Sequence, residues 1–436
     1  MEWLDSHVNM EKGATVNDAP GIALPPRRLD PPSLDRMRAL LRYAGDPQFD
    51  VPFIHITGTN GKGSTARMAA SLLEASGRSV GAYTSPHLEK INERIAYNST
   101  AISDSELAEV LSDIALAEDA AGERCSFFEL TTAAAFRWFG DIAVEAAVIE
   151  VGMGGNWDAT NAGDGAVGVI TNVELDHAEF FGPDRSDIAR EKSGVFKPGC
   201  IAVIGEPDHA IARQLHDAAR DVGAEAIWQR GTDFDVVTNR LAIAGRSLTL
   251  RTPGGRYDDV FVPLHGAHQG DNAAIAVAAV EAFLQEPLDA AVVRNGLAKT
   301  QNPGRLEVMS RRPLVVIDGA HNPAGARVLR VAIDEAFAAC RQRVIVMGLL
   351  DGRDETEMVR TVCSGAASVI AVAPSSPRAM DPQRIASACA TLGIPCTVAR
   401  SVGEALERGK AAVTEDDMLL VTGSLYLLGE ARPLLR

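Results

Sequence analysis

No stretch of about 18 consecutive apolar residues occurs in the chain, so no membrane span is expected. Basic residues are in deficit: 42 Lys and Arg stand against 58 Asp and Glu, a net charge of −16. That balance argues against general nucleic-acid binding, which wants a basic face. It leaves room for a phosphate ligand, because one loop can concentrate positive potential in an acidic protein. Cysteines are few and scattered, at Cys125, Cys200, Cys340, Cys363, Cys389 and Cys396. None forms a C-x-x-C pair, which points to free thiols in a reducing cytoplasm. Residues 1–26 lack the apolar centre of a signal peptide. Tandem repeats and low-complexity tracts are also missing.

What is present is organised around His55-Ile56-Thr57-Gly58-Thr59-Asn60-Gly61-Lys62-Gly63-Ser64-Thr65. An apolar run, Val51 to Ile54, precedes it and reads as a strand. Met68, Leu72 and Leu73 follow at helical spacing. Strand, glycine-rich turn, lysine, hydroxyl and helix is the order that a phosphate-cradling loop needs. Lys62 can reach outer phosphates, and Ser64 or Thr65 can hold a phosphate oxygen or magnesium. The loop departs from G-x-x-x-x-G-K-[ST], because its first glycine is Gly58 and Gly63 separates Lys62 from Ser64. The bland alternative is a glycine-rich turn with an exposed lysine.

A length of 436 residues suits two or three domains. Residues 1–28 read as a flexible or loosely packed lead-in, and Ser33 as the N-cap of a helix carrying Leu34, Met37, Leu40 and Leu41. Ser103 with Glu106 is a capping-box signature, and another helix starts at Phe127. Strands at 144–151 and 167–173 end in Glu150 and in Glu174-Leu175-Asp176-His177. Ligands of open α/β sheets sit beyond the carboxyl ends of strands, so the loop, Glu150 and His177 converge on one predicted site. Residues 186–197 read as helical, and 234–250 as antiparallel strands. Turn formers between Lys299 and Leu306 mark a junction. Beyond it, strands near 314–318, 343–348, 368–372, 395–399 and 418–422 alternate with helices. The expected fold is α/β: residues 1–302 form a P-loop-type ATPase domain on a mostly parallel sheet. Residues 303–436 form a smaller, Rossmann-like α/β domain.

Taken in order, the motifs resemble those of bacterial folylpolyglutamate synthase/dihydrofolate synthase enzymes, a branch of the Mur ligase superfamily. They are Gly58 to Ser64, Ser85-Pro86-His87-Leu88, Asn92-Glu93-Arg94-Ile95, Asp158-Ala159-Thr160-Asn161, Leu175-Asp176-His177 and Glu191-Lys192-Ser193-Gly194. Gly304-Arg305-Leu306-Glu307, Asp318 to Pro323 and Thr422 to Tyr426 complete the set. The resemblance implies an ATP-driven amide ligase that makes an acyl phosphate and adds L-glutamate to dihydropteroate or a reduced folate. Thr59, Asn60, Gly61, Lys62, Gly63 and Ser64 would bind ATP, with Asn272, Arg305, Asp318 and His321. Ser85, Glu150, His177 and Lys192 would hold magnesium, two ions being expected. Lys62, Lys192 and His177 would be catalytic, with Lys192 carbamylated by CO2, a change that requires a neutral and therefore buried amine. Phe127, Phe128, Glu129, Trp157, Asp158 and Ala159 would take the pterin, and His321 and Ser424 the glutamate. Contacts on both sides of the junction imply that closure assembles the site.

Chemistry alone leaves other readings open. Lys192 could be a surface lysine paired with Asp187 or Glu191, His177 a structural histidine, and the phenylalanines core. Asp318 could be the N-cap of the next helix. Asn156-Trp157 replaces the commoner Arg followed by a small apolar residue, and Asp351-Gly352-Arg353-Asp354 also departs from the usual form. The expected protein is a cytoplasmic monomer acting on small molecules, away from nucleic acid and membranes. A monofunctional synthase, a ligase for a peptidoglycan precursor and a non-catalytic ATP-binding relative are the alternatives.

Overall fold

The structure, a computed structural model, describes residues 2–9, 11, 34–176 and 178–436. Ser33 and His177 lie outside the described residues. The chain divides into two compact units. The first comprises residues 1–240, 247–263 and 269–300, the second residues 241–246, 264–268 and 301–436.

In the first unit the strands are β1 (Phe53–Thr57), β2 (Val80–Tyr83), β3 (Ile95–Tyr97), β4 (Thr100–Ala101), β5 (Ala146–Glu150), β6 (Val167–Ile170), β7 (Ile201–Ile204) and β8 (Ala226–Gln229). They form one sheet in the order β4-β3-β2-β5-β1-β6-β7-β8. The pairs from β2 to β8 are parallel, and β3 and β4 add an antiparallel edge. β1, β5, β6 and β7 are buried at every position, the continuous apolar pattern of strands covered on both faces. β1 is central, so the loop at its carboxyl end opens where the β5 and β6 loops also emerge. A smaller sheet, β9 (Asp235–Ala242), β10 (Gly245–Thr252) and β11 (Gly255–Val262), runs in the order β11-β10-β9. The expected antiparallel region thus extends one strand further than its alternating stretch.

The second unit holds β12 (Glu307–Arg311), β13 (Leu314–Asp318), β14 (Arg343–Met347), β15 (Ser368–Ala371), β16 (Cys396–Val398) and β17 (Met418–Thr422). Their order is β12-β13-β17-β14-β15-β16, parallel except for β12. β12 escaped the sequence reading because its residues are half-buried or exposed and carry no apolar run.

Residues 2–9, inside the stretch expected to be a loose lead-in, are packed. Leu4 is fully buried, His7 meets the Glu118 carboxylate at 3.0 Å, and Val8 accepts from the Phe127 N–H. Three apolar residues (Trp3, Leu4, Val8) among polar ones were too short a signal for a helix and its anchor. Among the described residues no helix is long and apolar enough to cross a membrane.

Candidate functional site

β1 runs into Gly58, and the helix Lys62–Ala75 starts four residues later. Gly58 has φ +152°, and a Cβ there would sit 1.8 Å from Thr171 Oγ1. Gly61 has φ +84°, and a Cβ there would meet Asn272 Oδ1 at 2.5 Å. Both positions therefore need glycine. The end of β6 holds the turn. Thr59 N donates to Asn172 O (2.9 Å), Asn60 N to Asn172 Oδ1 (3.0 Å), and Thr171 Oγ1 to Asn60 O (2.6 Å). The first intrahelical bond runs from Thr65 N to Gly61 O. The positive end of the helix therefore opens at the turn, which favours an anion there.

Two lysines meet at this turn. Lys62 Nζ donates to Gly58 O at 2.8 Å, and Lys192 Nζ to the same oxygen at 3.0 Å. Lys192 ends the helix Arg185–Lys192 and is 5% exposed. Burial first, then the Lys62 charge, pull its amine from the ordinary 10.5 down to about 7. The surface pairing is excluded by geometry: Asp187 pairs with Arg190, while Glu191 accepts from Gly155 N (3.2 Å) and Trp157 N (3.3 Å). A Cβ on Gly155 would lie 2.9 Å from Lys192 Cα, so the loop after β5 closes directly on the lysine. Thr57 Oγ1 ties that loop to β1 through Gly154 O at 2.6 Å.

Glu150 ends β5, nearly buried, and accepts from Ser85 N at 3.0 Å. Both its carboxylate oxygens lie 3.4 Å from where a Gly63 Cβ would stand. A carboxylate is thus held against the positive end of the phosphate-loop helix, with the Ser85 hydroxyl on the neighbouring loop. Oxygen donors of this kind suit a hard divalent ion. Among the described residues no group of three His, Cys, Asp or Glu side chains is arranged to hold a metal.

The candidate pterin residues are distributed differently. Phe127 and Ala159 are core, and Phe128 is partly buried with its ring 6.1 Å from Tyr83. Glu129 serves its own helix start, accepting from Ser126 N (2.7 Å) and Oγ (2.6 Å), and pairs with Arg36. Asp158 is buried, which raises its carboxyl to about 6; it accepts from Met153 N, Thr160 N and Thr160 Oγ1. Trp157 is half-buried, its ring 5.8 Å from that of Phe181. Thr171 and Asn172 were not singled out from sequence, while Asn156, noted there only as a departure from the usual form, donates from Nδ2 to Arg190 O and Glu191 O. For Thr171-Asn172 the usable signal was two polar residues directly after a buried strand.

In the second unit Asp318 ends β13 and accepts from Leu306 N (2.9 Å) and Ala320 N (2.8 Å). Burial raises its carboxyl, opposed by the Arg305 charge. It does not cap the next helix; Asn322 does, accepting from Gly325 N at 2.7 Å. His321 Nδ1 lies 2.9 Å from Gly319 O, and Ser424 caps the helix Leu425–Leu435. Arg305, Asp318 and His321 thus gather at one strand end.

Two family models match the chain: the Mur ligase middle domain over residues 56–280 and the Mur ligase glutamate ligase domain over residues 304–425. With the phosphate loop, lysines and carboxylate in place, the class is that of the ATP-dependent Mur-type ligases. Within it, the chain belongs to the dihydrofolate synthase/folylpolyglutamate synthase family. It is 37% identical to the dihydrofolate synthase/folylpolyglutamate synthase of Mycobacterium tuberculosis, over 94% of this chain and 91% of that one. It is similar to the M. tuberculosis folylpolyglutamate synthase solved with ADP (TM-score 0.88, 37% identity, 94% and 96% of the two chains). It also resembles the bifunctional folylpolyglutamate synthase/dihydrofolate synthase of Yersinia pestis solved with AMPPNP and a manganese ion (TM-score 0.82, 26% identity, 94% and 95%).

Proposed function

We propose that this ligase adds L-glutamate both to dihydropteroate and to reduced folates. An acceptor carboxylate oxygen attacks the γ-phosphorus of ATP, giving an acyl phosphate and ADP. The glutamate amine then attacks the acyl carbon, the amide forms, and phosphate leaves with loss of a proton from nitrogen. The observation that carries this reading is the convergence of Lys62 and Lys192 on Gly58 O, beside Glu150 at the helix start. Lys62 and the positive helix start behind it would hold the phosphates. Glu150 and the Ser85 hydroxyl would hold magnesium, with His177 and Lys192 as further ligands. When bound, the ion supplies neutralisation of charge on the transferring phosphoryl group.

Lys192 as an ammonium donates and cannot ligate. Its depressed basicity supports the carbamylated form, because the neutral amine adds CO2 and releases a proton, giving a carboxylate at the same place. In the second unit Arg305, Asp318 and His321 are proposed nucleotide contacts, with Ser424 on glutamate. Trp157 and Phe128 offer the half-buried aromatic surface that a flat pterin would take.

The test is phosphate release with Mg-ATP and L-glutamate, comparing dihydropteroate with tetrahydrofolate. Turnover with both is expected. Turnover with one assigns a monofunctional synthase, and turnover with neither, in a folded protein that binds ATP, overturns the acceptor assignment.

A further inference from the structure

We infer that Glu11 is a positioning residue for the loop Ser85–Leu88 and the start of the helix Phe127–Asp141. Arg94 connects them. Its side chain is fully buried, and both its terminal nitrogens bond the Glu11 carboxylate, one of them at 3.1 Å. Its Nε donates to His87 Nδ1 at 2.8 Å, which holds the ring with that nitrogen as acceptor. The guanidinium also lies 5.3 Å from the centre of the Phe127 ring. One buried cation thereby touches the loop that carries Ser85 and the helix that carries Phe128.

The segment bearing Glu11 makes a second, separate contact with that helix. The Phe127 N–H, one of the orphan donors of a helix start, is taken by Val8 O at 3.0 Å. Next to Arg94, Glu93 accepts from Leu88 N (2.8 Å), Glu89 N and Lys90 N (both 3.0 Å), closing the same loop from its other end. A guanidinium taken out of water needs a carboxylate, and removing one partner leaves an uncompensated buried charge. Without Glu11, Arg94 would turn toward water and release His87, so the sequence 85–88 would lose its anchor while the phosphate loop kept its own. Residues near the N-terminus therefore act on the start of the helix that carries Phe128, on the acceptor side, and on the loop that carries Ser85, a proposed magnesium ligand, but not on the phosphate loop itself. This inference rests on the acceptor assignment proposed above, so its first readout does not use the acceptor.

The experiment compares Glu11→Gln and the double variant Glu11→Leu/Arg94→Met with the unaltered chain. Amide hydrogen exchange at Leu88, Lys90 and Phe127 is expected to rise about tenfold in both variants, with the phosphate-loop amides unchanged. KM for the pterin-bearing acceptor should rise about tenfold, while affinity for metal-free ADP, which reads the phosphate loop alone, should stay within about twofold. The double variant, which buries no charge, should recover thermal stability but not the exchange or the acceptor KM. Recovery of all three in the double variant would reduce Glu11 to a purely structural counter-ion and sink the inference. So would Glu11→Gln lowering stability with exchange and acceptor KM unmoved. Raised exchange in a protein whose unaltered form turns over neither acceptor would uphold Glu11 as the anchor and reject the acceptor assignment instead.

Discussion

Lys192 owes its chemistry to its surroundings. An exposed lysine keeps its proton at neutral pH; this one is buried beside Lys62, and its amine is drawn to about 7. Replacing it by alanine removes a buried amine from the phosphate loop, the one proposed above to become a carbamate. Lys192→Ala is expected to lower turnover by roughly 10²- to 10³-fold, the range for loss of one charge-stabilising group. The circular dichroism spectrum should be preserved, since neither lysine contact to Gly58 O is needed to close the turn. Near-normal phosphate release by the variant would remove Lys192 from the reaction. Glu129 illustrates the opposite case: its two oxygens are consumed by Ser126 and Arg36, so its visible work is to start a helix and pin Arg36.

At the scale of elements, the unit that matters is β1, the turn and the helix Lys62–Ala75, braced by the residues after β6. Gly58 faces Thr171 so closely that a methyl group has no room, and its φ of +152° disfavours any side chain. Gly58→Ala is expected to move the carbonyl that receives both lysines and to weaken ADP binding at least about tenfold, read by calorimetry. Unchanged ADP affinity would show that the turn tolerates the shift. The strand, turn and helix order was legible because glycine, lysine and hydroxyl follow one another in sequence. The brace was not, because Thr171 and Asn172 lie over 100 residues from the loop and reach it only through the pairing of β6 with β1. Helix starts were legible where both partners are local: Ser103 with Glu106 forms the expected box.

At the scale of the whole molecule, two histidines with lowered basicity, His55 fully buried and His268 partly so, make stability depend on pH. His55 is fully buried and drawn from 6.5 to about 3 by burial and the Lys197 charge. His268 is drawn to about 4 by burial, then by Arg305 and Arg246. Both folded values lie below the unfolded one, so the unfolded chain binds more protons between about 4 and 6.5. Their contribution is complete above pH 6.5 and is lost as pH falls toward 4, by up to about 1.4 kcal/mol per pH unit for each histidine. The thermal midpoint is expected to fall between pH 7 and pH 5, and His55→Gln should make the decline shallower. An equal slope in the variant would show that other groups govern acid unfolding. His55 sits in one unit and His268 in the other, so the two are best followed as separate transitions.

The sequence by itself determined the α/β class, the succession of strands and helices, the phosphate loop and the Mur-type motifs. These rest on local order and on periodicity, which survive without knowledge of partners. Only the tertiary structure decided which polar groups work and which merely support. It buried Lys192 against Gly58 O and gave Glu129 to a cap. It placed Asp318 between two backbone N–H groups and drew residues 2–9 and Glu11 onto the sheet domain. Burial and long-range pairing set basicity and hydrogen-bond assignment, and neither is a property of neighbours in the chain.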